Sequence, residues 1–463
     1  MKQIDKLIYG SARFGSSILL NLMTIATLYI YTLHFNLYGP FTGLGVGLGE
    51  LTIALSGFMM GYISDATPTR ISRLFGGSRR RPYIFVGAPG LAFTFVMLFI
   101  PYLFIPLGNQ LLVFIYLTIF SCGFKFFYGF LMTPYQAWLP EITADSNERV
   151  EVSGYQNTAN LLATVMGFAL GLLVIPTILG SESEPMDLMG DAGRILLVMV
   201  VFLALLEVLL YIPTFLRINE RGKYLDQPSL IEQVKIAFKN RDYVFWICAQ
   251  GVMSVGFTIL MKTIINYAQG ILRFSTLEYI IFGLLLFIFV FLSFVFWGKL
   301  ASKPKYRKKK SLIFALLLMV VVLPFTLVVG QLPIIPITLQ GYALVALVGT
   351  GVSGYYLFPY AIVADLAEAD EIVTGEGRAG AYSGFLSIPI NVAGFFGSFI
   401  AGVLVEPTIW GTLYAGIEES SLGLLWLGPV SALFIFLGIL VLLKANIDPD
   451  LGELRKKYNH LRN

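Results

Sequence analysis

Apolar runs long enough to cross a lipid bilayer follow one another along this sequence, and that feature decides which solvent the chain is built for. A hydrocarbon core of ~30 Å takes about 20 residues of helix rising 1.5 Å each. Breaks at Gly, Pro and charge clusters delimit twelve such runs, near 14–36, 43–65, 82–106, 110–138, 151–178, 194–215, 243–271, 275–298, 311–330, 334–363, 380–405 and 421–444. Of the 463 residues, 57% are hydrophobic and 13% charged, against about 45–50% and about 25% in ordinary soluble domains. In water such a chain would expose large sticky patches, which excludes a soluble enzyme. The expected fold class is an all-α membrane protein of 12 transmembrane helices.

The net charge of +4 is too small to imply nucleic acid, so the placement of the charges carries the information. Cytoplasmic loops keep Lys and Arg while translocated loops lose them. With the N-terminus inside, inner segments hold 28 of the 32 basic residues, outer segments only Arg194 and Arg273, and Lys125 and Lys262 fall within spans. Both termini are therefore expected in the cytoplasm, in a protein of the plasma (cell) membrane. The opening MKQIDKLIYGSARF leads into an apolar run too long for a signal peptide and reads as a retained first helix. Cys122 and Cys248, both in apolar runs, support neither a disulfide framework nor a Cys metal site.

The longest inner linker, 216–242, carries Leu230, Ile231, Val234, Ala237 and Phe238 at helical spacing opposite Lys and Arg, as in an amphipathic helix on the inner leaflet. It separates a six-helix bundle at 1–215 from a second, at 243–463, that includes a cytoplasmic tail. Pro134-Tyr135 at the end of span 4 and Pro359-Tyr360 at the end of span 10 each run into an acidic loop, with an offset of 225 residues. A shift near half the chain is what two similar halves would give.

In the link between spans 2 and 3, Asp65 falls at a helix C-terminus, where the macrodipole disfavours an anion. Guanidinium partners stand nearby in Arg79, Arg80 and Arg81. One reading is a plain positive-inside anchor. The other is an inner gate in which these groups, with Asp365 and Glu368 of the span 10–11 loop, pair in one conformation and part in another.

These segments resemble a known family. GYISD followed by SRRRPYI is similar to the span 2–3 signature of the major facilitator superfamily, and in its RRRP form to sucrose transporters. PYQAWLPEIT, Glu148-Arg149 with SGYQN, and PYAIVADLAEADEIVTGEGRAGAYSG resemble the glycoside–pentoside–hexuronide:cation symporters, the melibiose permease-like family. The resemblance implies two pseudo-symmetric six-helix bundles that bind sugar between them near the midplane by alternating access. It implies a sugar contact at Tyr128. Elsewhere the family's residues are replaced: its sugar-binding carboxylates by Ser17 and Met132, its cation-site acids by Ile53 and Gly57, an Arg by Asn157, and a Lys by Ile390 or Asn391.

An ionisable group inside the membrane costs at least about 2.5–3.5 kcal/mol at a helix centre and is a functional candidate by default. Four qualify: Glu50, Lys125, Glu207 and Lys262. Glu50 follows the small-residue run GLGVGLG, which permits close helix approach, and is the candidate proton carrier with Lys125 as its partner. Glu207 is expected to snorkel to the inner surface. Asn21, Asn157, Asn266 and Asn391, with Lys125 and Tyr128, make up the candidate substrate contacts, since sugar recognition needs fixed amide donors and acceptors. No nucleophile–base pair, zinc spacing or phosphate loop appears, so neither an enzyme nor a cofactor is expected. The leading function is a secondary transporter coupling a sugar or glycoside to a proton; a lipid-like or other amphiphilic solute is the alternative, ahead of a channel or intramembrane enzyme.

Overall fold

The computed structural model describes residues 2–65, 67–142, 146–179, 190–218, 238–303, 306–330, 332, 334–374, 379–409 and 422–458. The linker residues Leu230 to Ala237 lie outside them. Among the described residues, twelve helices are long and apolar enough to cross a membrane. We label α1 Gln3–Tyr29, α2 Gly39–Asp65, α3 Arg81–Phe99, α4 Gln110–Ile142, α5 Ser146–Ala169, α6 Asp191–Arg217, α7 Arg241–Gly270, α8 Thr276–Ala301, α9 Arg307–Val322, α10 Ile337–Leu357, α11 Pro359–Thr374, α12 Ala379–Val405, α13 Leu427–Leu443 and α14 Leu451–Tyr458.

Four spans differ from the sequence reading. α1 starts at Gln3, about three turns into what looked like a charged N-terminal segment, and Lys6 there is buried in an ion pair with Glu151 of α5. The third span stops at Phe99, where Pro101 opens a short 3₁₀ turn. The acidic stretch after Pro359 is helix α11 rather than loop: Pro359 is its first residue, where a fixed φ suits helix initiation and no N–H is needed. The matching Pro134 does not end α4, which continues to Ile142.

Two compact units emerge, one of residues 1–227, 261–265 and 398–406, the other of 228–260, 266–397 and 407–463. In the first, α2 packs along α4, α1 along α5 and α6, and α3 against α4 and α6. In the second, α8 and α9 pack on α10, and α13 lies on α9. Helix α6 shows how each span is divided between solvent and core. Val198, Phe202, Leu205 and Leu209 form an exposed apolar stripe, while Val200, Leu203, Glu207 and Tyr211 are buried.

Candidate functional site

Glu50 is placed by the seam between α2 and α4. A Cβ on Gly49 would come within 2.5 Å of the Ser121 Oγ, and one on Gly129 within 2.1 Å of the Ser56 Oγ. Only glycine at these crossings lets the two helices approach this closely. The approach brings Lys125 beside Glu50, with the Lys125 Nζ donating to Oε2 at 3.0 Å. From 261–265, the stretch of α7 that belongs to the same unit, the Lys262 Nζ donates to the other oxygen, Oε1, at 3.2 Å. All three side chains are at least nine-tenths buried.

Two ammonium groups thus share one carboxylate, one on each oxygen, and the cluster carries a net charge of +1. A buried charge without a partner is strongly destabilising, whereas a hydrogen-bonded pair roughly offsets its desolvation. The surplus positive charge gives the site an appetite for an anion or for the lone pairs of hydroxyl groups. The expected Glu50–Lys125 pair is present; Lys262, read only as an ionisable residue within a span, joins it. Sequence position estimates the depth of a helical residue but not which neighbouring helix it faces, so this third member had no legible signal beyond being charged in an apolar run.

The remaining candidates are scattered. Tyr128, one turn from Lys125 on α4, is half-buried. Asn21 donates to the Ser17 carbonyl at 2.7 Å and to the Thr164 Oγ1 of α5 at 3.2 Å, and the Ser17 Oγ donates to the Asn160 Oδ1 at 2.7 Å. That makes Asn21 part of the α1–α5 packing. Asn157 is exposed, and Asn266 is half-buried one turn beyond Lys262. Asn391 donates back to the Ser387 carbonyl of its own helix at 2.8 Å. Met132, standing where the family has a carboxylate, accepts through Sδ from the Ser16 Oγ at 3.1 Å and the Tyr211 hydroxyl at 3.3 Å.

Of the candidate gate, Arg80 is buried and donates to the Ser64 Oγ at 2.5 Å. Arg81 donates to the Ile218 carbonyl at 2.8 Å and stacks over Phe215. The Arg79 carbonyl accepts from the Thr67 Oγ1 at 3.3 Å. Asp65 ends α2, and its side chain lies outside the described residues. Asp365 is paired with Lys308, and Glu368 with Arg455 of α14 at 2.5 Å. Glu207 corrects the sequence reading: it does not snorkel but is 0% exposed on the core face of α6. A Glu carries only two methylenes, too short to reach an interface from a core-facing position.

The family model for MFS/sugar transport proteins matches residues 8–448. The chain belongs to that family. Among relatives of this MFS transporter is an uncharacterized symporter of Synechocystis sp., 22% identical, over 87% of this chain and 85% of that protein. Solved structures with the same fold include the nucleoside transporter NupG, with TM-score 0.61 at 13% identity over 95% of this chain and 99% of that one. A D-xylose–proton symporter aligns with TM-score 0.59 at 17% identity over 94% and 95% of the two chains. A bacterial homolog of the human lysosomal transporter Spinster, inward-facing and occupied, aligns with TM-score 0.62 at 13% identity over 96% and 95%. The fold is thus the major facilitator fold of an integral membrane transporter.

Proposed function

We propose that this MFS transporter is a proton-coupled symporter of a sugar or glycoside that works by alternating access, with both termini cytoplasmic and the plasma membrane as its site. The observation that carries the reading is the buried Glu50–Lys125–Lys262 cluster. Glu50 is the proton-coupling group: taking up a proton neutralises it and leaves two ammonium groups short of acceptors. A polyhydroxylated substrate supplies those acceptors through its oxygens, so proton and sugar each favour the other's binding, and the coupling is reciprocal. Tyr128, one turn from Lys125 on α4, is a further substrate contact, with Asn157, Asn266 and Asn391. The basic run Arg79 to Arg81, with Asp65, Asp365 and Glu368, forms the gate that must rearrange between inward and outward states.

The test is uptake into proteoliposomes with sugar, sodium and pH varied separately. Wild-type protein should accumulate a sugar or glycoside only under an inward proton gradient. Glu50→Gln should lose that accumulation and keep exchange of labelled for unlabelled substrate. Undiminished proton-driven accumulation by Glu50→Gln removes the residue from coupling, and uptake restricted to an amphiphile overturns the sugar reading.

A further inference from the structure

Glu207, 0% exposed, is a buried ionisable group that the proposed transport cycle does not use. Its helix turns Val198, Phe202, Leu205 and Leu209 outward and carries Glu207 inward, against α1. The contact is close enough that a Cβ on Gly15 would fall 2.7 Å from the Glu207 Cα, so a glycine is required opposite the carboxylate-bearing residue. Both carboxylate oxygens are buried with no hydrogen-bond partner among the described residues. Glu50, in the same unit, has an ammonium group on each oxygen.

Several charged and titratable groups on the elements packed around Glu207 bond to other partners. Tyr211, one turn along α6, shares its hydroxyl with the Ser16 Oγ at 3.1 Å. On α1, Lys6 pairs with Glu151 and the Tyr9 hydroxyl donates to the Tyr135 carbonyl. Arg13, two residues from Gly15 and so on another side of α1, stands near Tyr9 and Tyr135, with its Nε buried and without a hydrogen-bond partner among the described residues. On α3, Arg81 is held by the Ile218 carbonyl and Tyr83 donates to the Ile63 carbonyl.

A buried ionised carboxylate with no hydrogen-bond donor among the described residues is far costlier than the neutral acid. We propose that Glu207 is a second proton-binding site of the first unit, holding its proton as a neutral carboxylic acid while α1 and α6 are packed together and releasing it to water when that seam opens. The step is a simple deprotonation: the O–H bond of the acid breaks, the electron pair stays on the carboxylate, and the proton passes to solvent. Any part in driving uptake rests on the proton-symport reading above; the proton on Glu207 does not.

Infrared spectroscopy of the purified full-length transporter in lipid nanodiscs tests this. At neutral pH the wild type should show the C=O stretch of a protonated carboxylic acid, shifted in heavy water, which persists in Glu50→Gln and disappears in Glu207→Gln. Thermal melting of each variant checks the fold, and Glu207→Asp, which keeps the acid, should shift the band rather than erase it. A wild-type spectrum without the band, or a band unchanged in Glu207→Gln and Glu207→Asp, overturns the assignment. If the band behaves as expected but uptake ignores the proton gradient, Glu207 stands and the coupling reading falls.

Discussion

Glu50 sits at the point where one carboxylate balances two ammonium groups, and that stoichiometry makes specific predictions. The members of the cluster touch one another, so their substitutions should not add. Glu50→Gln combined with Lys262→Met should differ from the sum of the single changes by about 0.5–3 kcal/mol of stability, read from denaturation of the purified protein. Simple additivity would mean that the groups do not interact. Lys125→Ala should weaken substrate binding at least about tenfold, roughly 1.4 kcal/mol, as measured by equilibrium binding; an unaltered dissociation constant makes Lys125 structural. Which residues are costly to place in a membrane was plain from the sequence, because Glu50, Lys125, Glu207 and Lys262 each interrupt an apolar run. Their pairing was only half legible. Lys262 is 212 residues from Glu50, and Glu207 was misread, because periodicity within α6 does not say which of its faces meets α1.

At the scale of elements, close helix contact is set by small residues. Gly49→Leu would drive its Cβ into the Ser121 Oγ, 2.5 Å away, and its bulk toward the Lys125 stem. Overpacking of this kind costs typically about 1–3 kcal/mol, and the seam it pushes apart is the one that pairs Glu50 with Lys125. A lowered melting temperature together with lost substrate binding is expected, and an unchanged melting temperature counts against a tight seam. The C-terminal helix α14 is held in a different way. The Asp450 Oδ1 accepts from the Gly452 and Glu453 N–H groups at 3.1 Å each, capping its N-terminus, and Arg455 reaches Glu368. The Glu453 N–H holds the Asp450 carboxyl below its ordinary value of 3.8. A lowered carboxylate contributes its stabilisation above the unfolded value and loses it as pH falls through the folded one. Protease cleavage within 451–458 should therefore quicken below about pH 3.8, and Asp450→Ala should show the faster cleavage already at neutral pH. Cleavage indifferent to both changes would show that the cap does not hold the helix. GLGVGLG advertised close packing in the sequence, whereas the continuation of the chain beyond Pro359 as helix did not show, since a proline marks a helix start as readily as an end.

For the whole molecule, the major facilitator fold of this transporter family implies a cycle between inward- and outward-facing states, and the proposed gate at Arg79 to Arg81 belongs to that scale. Arg80 is buried against Ser64, so its removal would confound cycling with folding; Arg79 and Arg81 are the better probes. Neutralising both should slow substrate exchange across the membrane several-fold while leaving the dissociation constant unchanged. Normal exchange rates would reduce the run to a topological anchor. Hydropathy by itself determined that the chain is a twelve-span membrane protein and which ionisable residues interrupt its apolar runs, because both follow from the cost of putting each residue type in hydrocarbon. Only the tertiary structure decided that Glu50 holds two lysines while Glu207 has no hydrogen-bond partner among the described residues. Partnership depends on how each helix is rotated about its axis and on which glycines let its neighbours come near, and neither quantity is local to any stretch of sequence.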